Sequence, residues 1–313
     1  MLHEHYPTPA EVDDWCAGLW RRAEAVELAA RVLDAESYAF QLAVRHTSGN
    51  HYVEFTGGGL DRFYGYWQPA TGGAPAPTLV HLPGYAHEMS AHPELVAEGF
   101  NVLHVSPLGY ATPDGPDESK RMGDSWPVLP ETVLSLGERG YVDWLASAAA
   151  AVRWALGLEG VDARRLGVFG SSNGGGTAAL LTSVLSAGGV EVGAVAADVI
   201  FLTNFPDMVA QLDPGAYWLA KEHIEHIAAE RPGDAPAAWR ALGFVDTLSH
   251  AHRLTMPVML TAGTEDTVCP PDSVRSLFEC LPGTRSYTEL AGQAHGYTVP
   301  FLRLASAWFR TYV

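Results

Sequence analysis

Hydrophobic and polar positions alternate with more than one period along the chain. Residues 9–33 carry apolar side chains at helical spacing from Pro9 onward and predict an amphipathic helix. Residues 38–46 and 51–56 alternate with period two and predict strands, the second broken by Gly57-Gly58-Gly59. Aromatic alternation resumes over 61–68 and stops at Pro69, and 70–77 form a loop with strand patterning on both sides.

From there the pattern changes to short, wholly apolar runs of the kind found in strands buried on both faces. They cover 78–82, 100–105, 165–169, 194–200 and 258–261, with 286–290 as the last strand. Helical segments are expected at 90–98, 141–156, from Ser172 onward, 272–280 and 298–312, with a Pro/Gly/Asp-rich loop over 106–124. Strands that alternate with helices imply an α/β fold with a mainly parallel central sheet and right-handed crossovers, the antiparallel start (38–68) lying at one edge. One domain, 1–313, accommodates the pattern, with 1–36 as a helical extension. Residues 203–252 interrupt two strands, look mostly helical, and have the length expected of a cap insertion.

Composition removes several classes of function. Nineteen Lys and Arg oppose 36 Asp and Glu in 313 residues, a formal charge of −17. A basic nucleic-acid footprint is missing, and an anionic membrane surface is disfavoured for the same reason. The charge suits a small neutral or cationic ligand. Three cysteines, Cys16, Cys269 and Cys280, do not make a disulfide framework. Residues 1–14 show no basic region followed by an apolar run, and no stretch of about 18 apolar residues occurs, so a cytoplasmic location without signal peptide or membrane span is expected.

The chemistry centres on Gly170-Ser171-Ser172-Asn173-Gly174, a G-x-S-x-G sequence between a predicted strand and a predicted helix. Side chains at the glycine positions would collide with neighbouring backbone, and the turn lifts the Ser172 hydroxyl above the sheet. Moving the register to Ser171 would put Phe169 where the first glycine belongs, and the Lys of a phosphate-binding loop is absent. Serine needs a base. In this arrangement an acid and then a histidine follow in chain order. The strand 258–261 runs into Gly263-Thr264-Glu265-Asp266, which offers Asp266 as the acid and Glu265 as its rival. His295 lies in a small-residue loop just after the last strand and is the candidate base. Donors for an oxyanion are expected from the main chain of Asn173 and of Tyr85, which follows Pro83-Gly84, although the Tyr85 ring also reads as ordinary packing. Phe205, Met208, Tyr217 and Trp218 either line an acyl or alcohol pocket or pack the insertion onto the body. The pairs His223/His226 and His250/His252 lack a third metal ligand and read as solvated or packed side chains.

These residues resemble the α/β-hydrolase superfamily, and within it the cephalosporin C deacetylase/acetyl xylan esterase family. The similarity runs through the N-terminal helix with Trp15, 53–69, Pro83-Gly84-Tyr85, 167–176, Phe201-Leu202-Thr203-Asn204-Phe205-Pro206 and 251–271. The chain departs from the family at Pro83, where His is usual, at 106–109, where Arg-Gly-Gln is usual, and at Gly296, where Glu is usual. The resemblance implies a serine hydrolase of small carboxylic esters that uses a Ser172–His295–Asp266 triad and an acyl-enzyme, with Tyr85 and Asn173 as oxyanion donors and no cofactor or metal. It implies a small-molecule ester or acyl substrate, and ring-shaped hexamers in some members leave a homo-oligomer open. The alternative keeps the triad and changes the substrate to a thioester, lactone or peptide, or the reaction to acyl transfer in secondary metabolism.

Overall fold

The structure, a computed structural model, describes residues 2–33, 50–72, 75–86, 90–106, 109–110, 112–115, 117–118, 141–296 and 298–313. The strand expected over 38–46 and most of the loop expected over 106–124 lie outside them. Thr8 caps the first helix, α1 (Pro9–Ala25): its hydroxyl accepts from the Glu11 N–H while the Glu11 carboxylate accepts from the Thr8 N–H, with Pro9 inside the first turn. Val12, Cys16, Leu19 and Ala23 form its buried stripe.

The helix expected over 9–33 ends eight residues early. Residues 29–33 instead form β1 (Ala29–Leu33), antiparallel to β2 (His51–Gly57). The helix-forming alanines are overridden by the open hydrogen-bonding edge of β2, and an Arg31–Glu54 ion pair crosses the two strands at 2.9 Å. β3 (Leu60–Gln68) continues the meander and pairs antiparallel with β5 (Asn101–Ser106).

From β5 the sheet turns parallel through β4 (Ala76–Leu82), β6 (Val161–Ser171), β7 (Ala194–Asp198), β8 (Val258–Gly263) and β9 (Arg285–Leu290). The order is β1-β2-β3-β5-β4-β6-β7-β8-β9, so the antiparallel strands lie at one edge as the pattern predicts. β4, β5, β7 and β8 are buried along their whole length, which accounts for their unbroken apolar runs. Successive side chains alternate between two cores. Val80, Leu82 and Val168 face the core shared with α1, α3 (Tyr141–Leu156) and α4 (Asn173–Ala187). Leu79, Phe169 and Met259 face the other, closed by α2 (Pro93–Ala97) and α10 (Val299–Tyr312).

Between β7 and β8 the chain is helical: α5 (Phe205–Val209), α6 (Trp218–Glu230), α7 (Ala235–Val245) and α8 (Thr247–His250), with short 3-10 turns between some of them. α9 (Pro271–Cys280) links β8 to β9. No helix among the described residues is long and apolar enough to cross a membrane.

Candidate active site

The site lies at the carboxyl ends of β6, β8 and β9. β6 leads directly into α4, and Ser172 occupies the junction with φ 57° and ψ −121°, a conformation that L-residues adopt only when their surroundings force it. The surroundings do so. The Ser172 N–H donates to the Asp198 carbonyl at 2.9 Å, and the Ser172 carbonyl accepts from Gly176 at 3.1 Å and Phe201 at 3.0 Å. The glycines are required by close approach: a Cβ on Gly170 would strike the Gly174 carbonyl, and one on Gly174 would strike the Leu82 carbonyl. Ser171, the rival nucleophile, is buried as the last residue of β6.

β8 ends in a tight turn that presents Asp266. Its Oδ1 accepts from the N–H groups of Val268 and Cys269, both at 2.8 Å, and its side chain is fully buried. Glu265, its rival, is exposed at the same turn. The loop after β9 is stitched to this turn by Glu265 N–H to the Gln293 carbonyl at 2.9 Å and Gly292 N–H to the Thr264 hydroxyl at 2.8 Å. That stitching sets His295 between the other two groups. Its Nδ1 stands 2.9 Å from Asp266 Oδ2 and its Nε2 3.0 Å from Ser172 Oγ. A carboxylate at Nδ1 fixes the proton there, so Nε2 carries the lone pair that accepts the Ser172 O–H. A quarter of the imidazole is exposed, so the line of three groups opens to solvent at its centre.

The remaining expected residues fall into two groups. Asn173 begins α4, one residue after Ser172, with its side chain buried. Tyr85 sits in the turn after β4, beside the Leu82–Pro83 backbone that abuts Gly174, and its exposed ring meets Tyr110 edge-on. Phe205, Met208 and Tyr217 are buried; Phe205 and Tyr217 stack edge-on with each other and with Phe201, while Trp218 is half-exposed at the start of α6. Gly215, just before Tyr217, lies against the Thr267 and Val268 carbonyls, which ties this cluster to the Asp266 turn. His250 is buried against the Phe244 carbonyl and His252 bonds Asp13, so both have structural partners. Among the described residues no group of three or more His, Cys, Asp and Glu side chains could hold a metal ion.

Two further residues flank the site, of which one, Asp198, went unread in the sequence. Cys269 is fully buried with its thiol at the Ser172 hydroxyl, and burial pushes that thiol well above its ordinary range. Asp198 closes β7 underneath Ser172 and is fully buried. Its only signal in the sequence is a charge that terminates the apolar run Ala194-Val195-Ala196-Ala197.

Comparison with known proteins identifies the family and the fold. The family model for acetyl xylan esterase (AXE1) matches residues 9–312. The fold superposes on acetyl xylan esterase 1 from Thermoanaerobacterium sp. JW/SL YS485 with a TM-score of 0.76 at 18% identity, covering 97% of this chain and 94% of that one. It superposes on the acetyl xylan esterase from Paenibacillus sp. R4 with a TM-score of 0.77 at 16% identity, covering 98% and 96%. An acylaminoacyl peptidase from Pyrococcus horikoshii shares the fold over 84% of this chain and 42% of its own, with a TM-score of 0.62 at 18% identity. With its family model matched over nearly its whole length, the chain belongs to the acetyl xylan esterase family and so to the carboxylic ester hydrolases of the α/β-hydrolase superfamily.

Proposed function

We propose that the protein is a serine esterase that removes a small acyl group, acetyl above all, from an alcohol through an acyl-enzyme. The observation that carries this reading is the hydrogen-bonded line Ser172–His295–Asp266, with distances of 3.0 and 2.9 Å. Ser172 Oγ attacks the ester carbonyl as His295 Nε2 takes its proton. Asp266, held by two main-chain N–H groups, keeps the imidazole in the productive tautomer and stabilises the imidazolium. The main-chain N–H groups of Asn173 and Tyr85 stabilise the oxyanion, the first aided by its place at the start of α4. The imidazolium then protonates the departing alcohol, and water, activated by the same imidazole, releases the acid.

The helical segment 203–252 acts in this reading as a cap on a single hydrolase domain. Its Phe205 and Tyr217, packed edge-on with Phe201 just before it, back the acid turn, and Trp218 stands at the exposed margin. The buried positions of Phe205, Met208 and Tyr217 favour a supporting wall over a freely accessible pocket surface.

The test is a series of p-nitrophenyl esters from acetate to octanoate. The reading expects acetate to be cleaved fastest, with kcat/KM falling steeply as the acyl chain lengthens. A maximum at the longer chains would replace the acetyl assignment with a larger-acyl esterase, and product formed only with an added alcohol or amine would replace hydrolysis with acyl transfer.

A further inference from the structure

Asp198 has no part in the relay just described, yet it touches that relay on several sides. In the sheet it pairs with Ser171 on β6 and Thr261 on β8, so it lies between the strand that carries the nucleophile and the strand that carries the acid. Its carbonyl accepts the Ser172 N–H at 2.9 Å. Its side chain is fully buried, with Oδ1 accepting from the Thr261 hydroxyl at 2.5 Å. The other oxygen makes no close hydrogen bond, and the Thr298 N–H, three residues after His295, favours the charge of this carboxyl.

The titratable groups that act on this carboxyl are His295, which favours its charge, and Asp266, which opposes it; the Cys269 thiol senses Asp198 in turn. Burial raises the carboxyl to about 7, with Thr261 and His295 working in the opposite direction. A buried carboxyl bonded only to the Thr261 hydroxyl is costly to ionise, and positive charge on His295 lowers that cost.

We infer that Asp198 is a positioning residue of the hydrolytic site: its main chain fixes Ser172, and its carboxyl is a second countercharge, beside Asp266, for the imidazolium form of His295. The inference rests on the esterase reading above. When His295 takes the Ser172 proton, the new positive charge is stabilised by the ionised form of Asp198, whose carboxylate Thr261 holds. When His295 gives the proton to the leaving alcohol, that support relaxes. The two carboxyls and the imidazole therefore titrate as one coupled set.

The test uses the full chain and measures the rate of Ser172 labelling by an uncharged alkyl fluorophosphonate as a function of pH. In the wild type the rate rises as His295 loses its proton. Asp198→Asn keeps the shape and removes the charge, and a lost negative neighbour makes the imidazolium easier to deprotonate. The midpoint of the rise then moves to lower pH, by about half a unit or more, while the limiting rate falls several-fold. A merely structural contribution would lower the rate and leave the midpoint in place. Thr261→Val removes the hydroxyl that favours the carboxylate, and its midpoint moves the same way by less; it carries the test if Asp198→Asn does not fold. Midpoints in both variants equal to wild type would overturn the inference while labelled Ser172 still upheld the esterase reading. A wild type that takes no label would remove that reading, and the inference with it.

Discussion

Asp246 is the side chain whose loss should do most damage away from the reacting groups. It is wholly buried just before α8, and its two oxygens accept four hydrogen bonds. Oδ1 takes the N–H groups of Asn204 at 3.0 Å and Leu248 at 2.9 Å, and Oδ2 takes the Phe205 N–H and the Tyr6 hydroxyl, both at 2.9 Å. The segment it grips is strained: Val199, Leu202 and Asn204 have φ of 40°, 63° and 59°. Val199 and Leu202 gain nothing local from such angles, so neighbouring contacts must impose them. The same segment supplies the Phe201 N–H to the Ser172 carbonyl.

Asp246→Ala strands three main-chain donors and one phenol in a dry interior. Each stranded donor costs about 1–3 kcal/mol, and relief of a buried carboxylate, whose pKa burial raises, offsets part of the total. A net loss of about 4 kcal/mol follows, which for 313 residues lowers Tm by about 6 °C. Asp246→Asn keeps one accepting oxygen and should lose about half as much, and Tyr6→Phe, which leaves the three main-chain bonds in place, about 1 kcal/mol. Thermal melts of the three variants, each with an esterase assay at 25 °C, give the ranking. Activity should fall in Asp246→Ala even where the protein remains folded, because the Phe201 segment relaxes. An Asp246→Ala protein that melts within about 1 °C of wild type would refute the argument that this carboxylate clamps the loop.

Three further outcomes follow from the geometry. Asp266→Asn leaves the fold intact but presents an amide N–H to His295 or loses the preferred tautomer, and kcat should fall by about 10⁴, measured with p-nitrophenyl acetate. Gly174→Ala forces a methyl into the Leu82 carbonyl, and we expect little soluble protein and no turnover in what remains. His92 and His250 are buried, which lowers them to about 3 and about 4. The unfolded chain therefore takes up protons that the folded one refuses, so stability is lost as pH falls from about 6.5 toward those values. Each histidine contributes about 2 kcal/mol of loss by pH 5, and urea melts at pH 7 and pH 5 that coincide would contradict it.

The parts of the site that the sequence discloses are those that backbone geometry demands. Gly170 and Gly174 are glycines because carbonyls occupy the space a Cβ would need, and that requirement marks Ser172 between them. Asp266 and His295 follow from their places after β8 and β9. What stayed hidden depends on contacts between distant strands. Residues 29–33 read as helix because alanine and arginine favour one locally, whereas their partners, 52–56, lie across a segment that no local pattern reaches. The strand expected to run to Ile200 stops at Asp198, because Val199 turns into the left-handed region and donates to the Thr261 carbonyl. Asp198 gains its importance only once β6, β7 and β8 stand side by side, and a lone charge in the sequence does not disclose that. The aromatic residues of the insertion carried two readings for the same reason: whether Tyr217 lines or supports a pocket depends on its bond to the Thr203 N–H and its burial, which are tertiary facts.

The central claim is that Ser172 is the nucleophile and that His295 activates it. Its most direct test is intact-mass and peptide-mapping mass spectrometry after treatment with an alkyl fluorophosphonate, on wild type and on Ser172→Ala and His295→Ala. The account predicts one adduct per chain, located on Ser172, absent from Ser172→Ala and formed at least a thousandfold more slowly in His295→Ala, on the order of what loss of the base costs in such relays. An adduct on Ser171 or elsewhere, or Ser172→Ala labelled as fast as wild type, would contradict it.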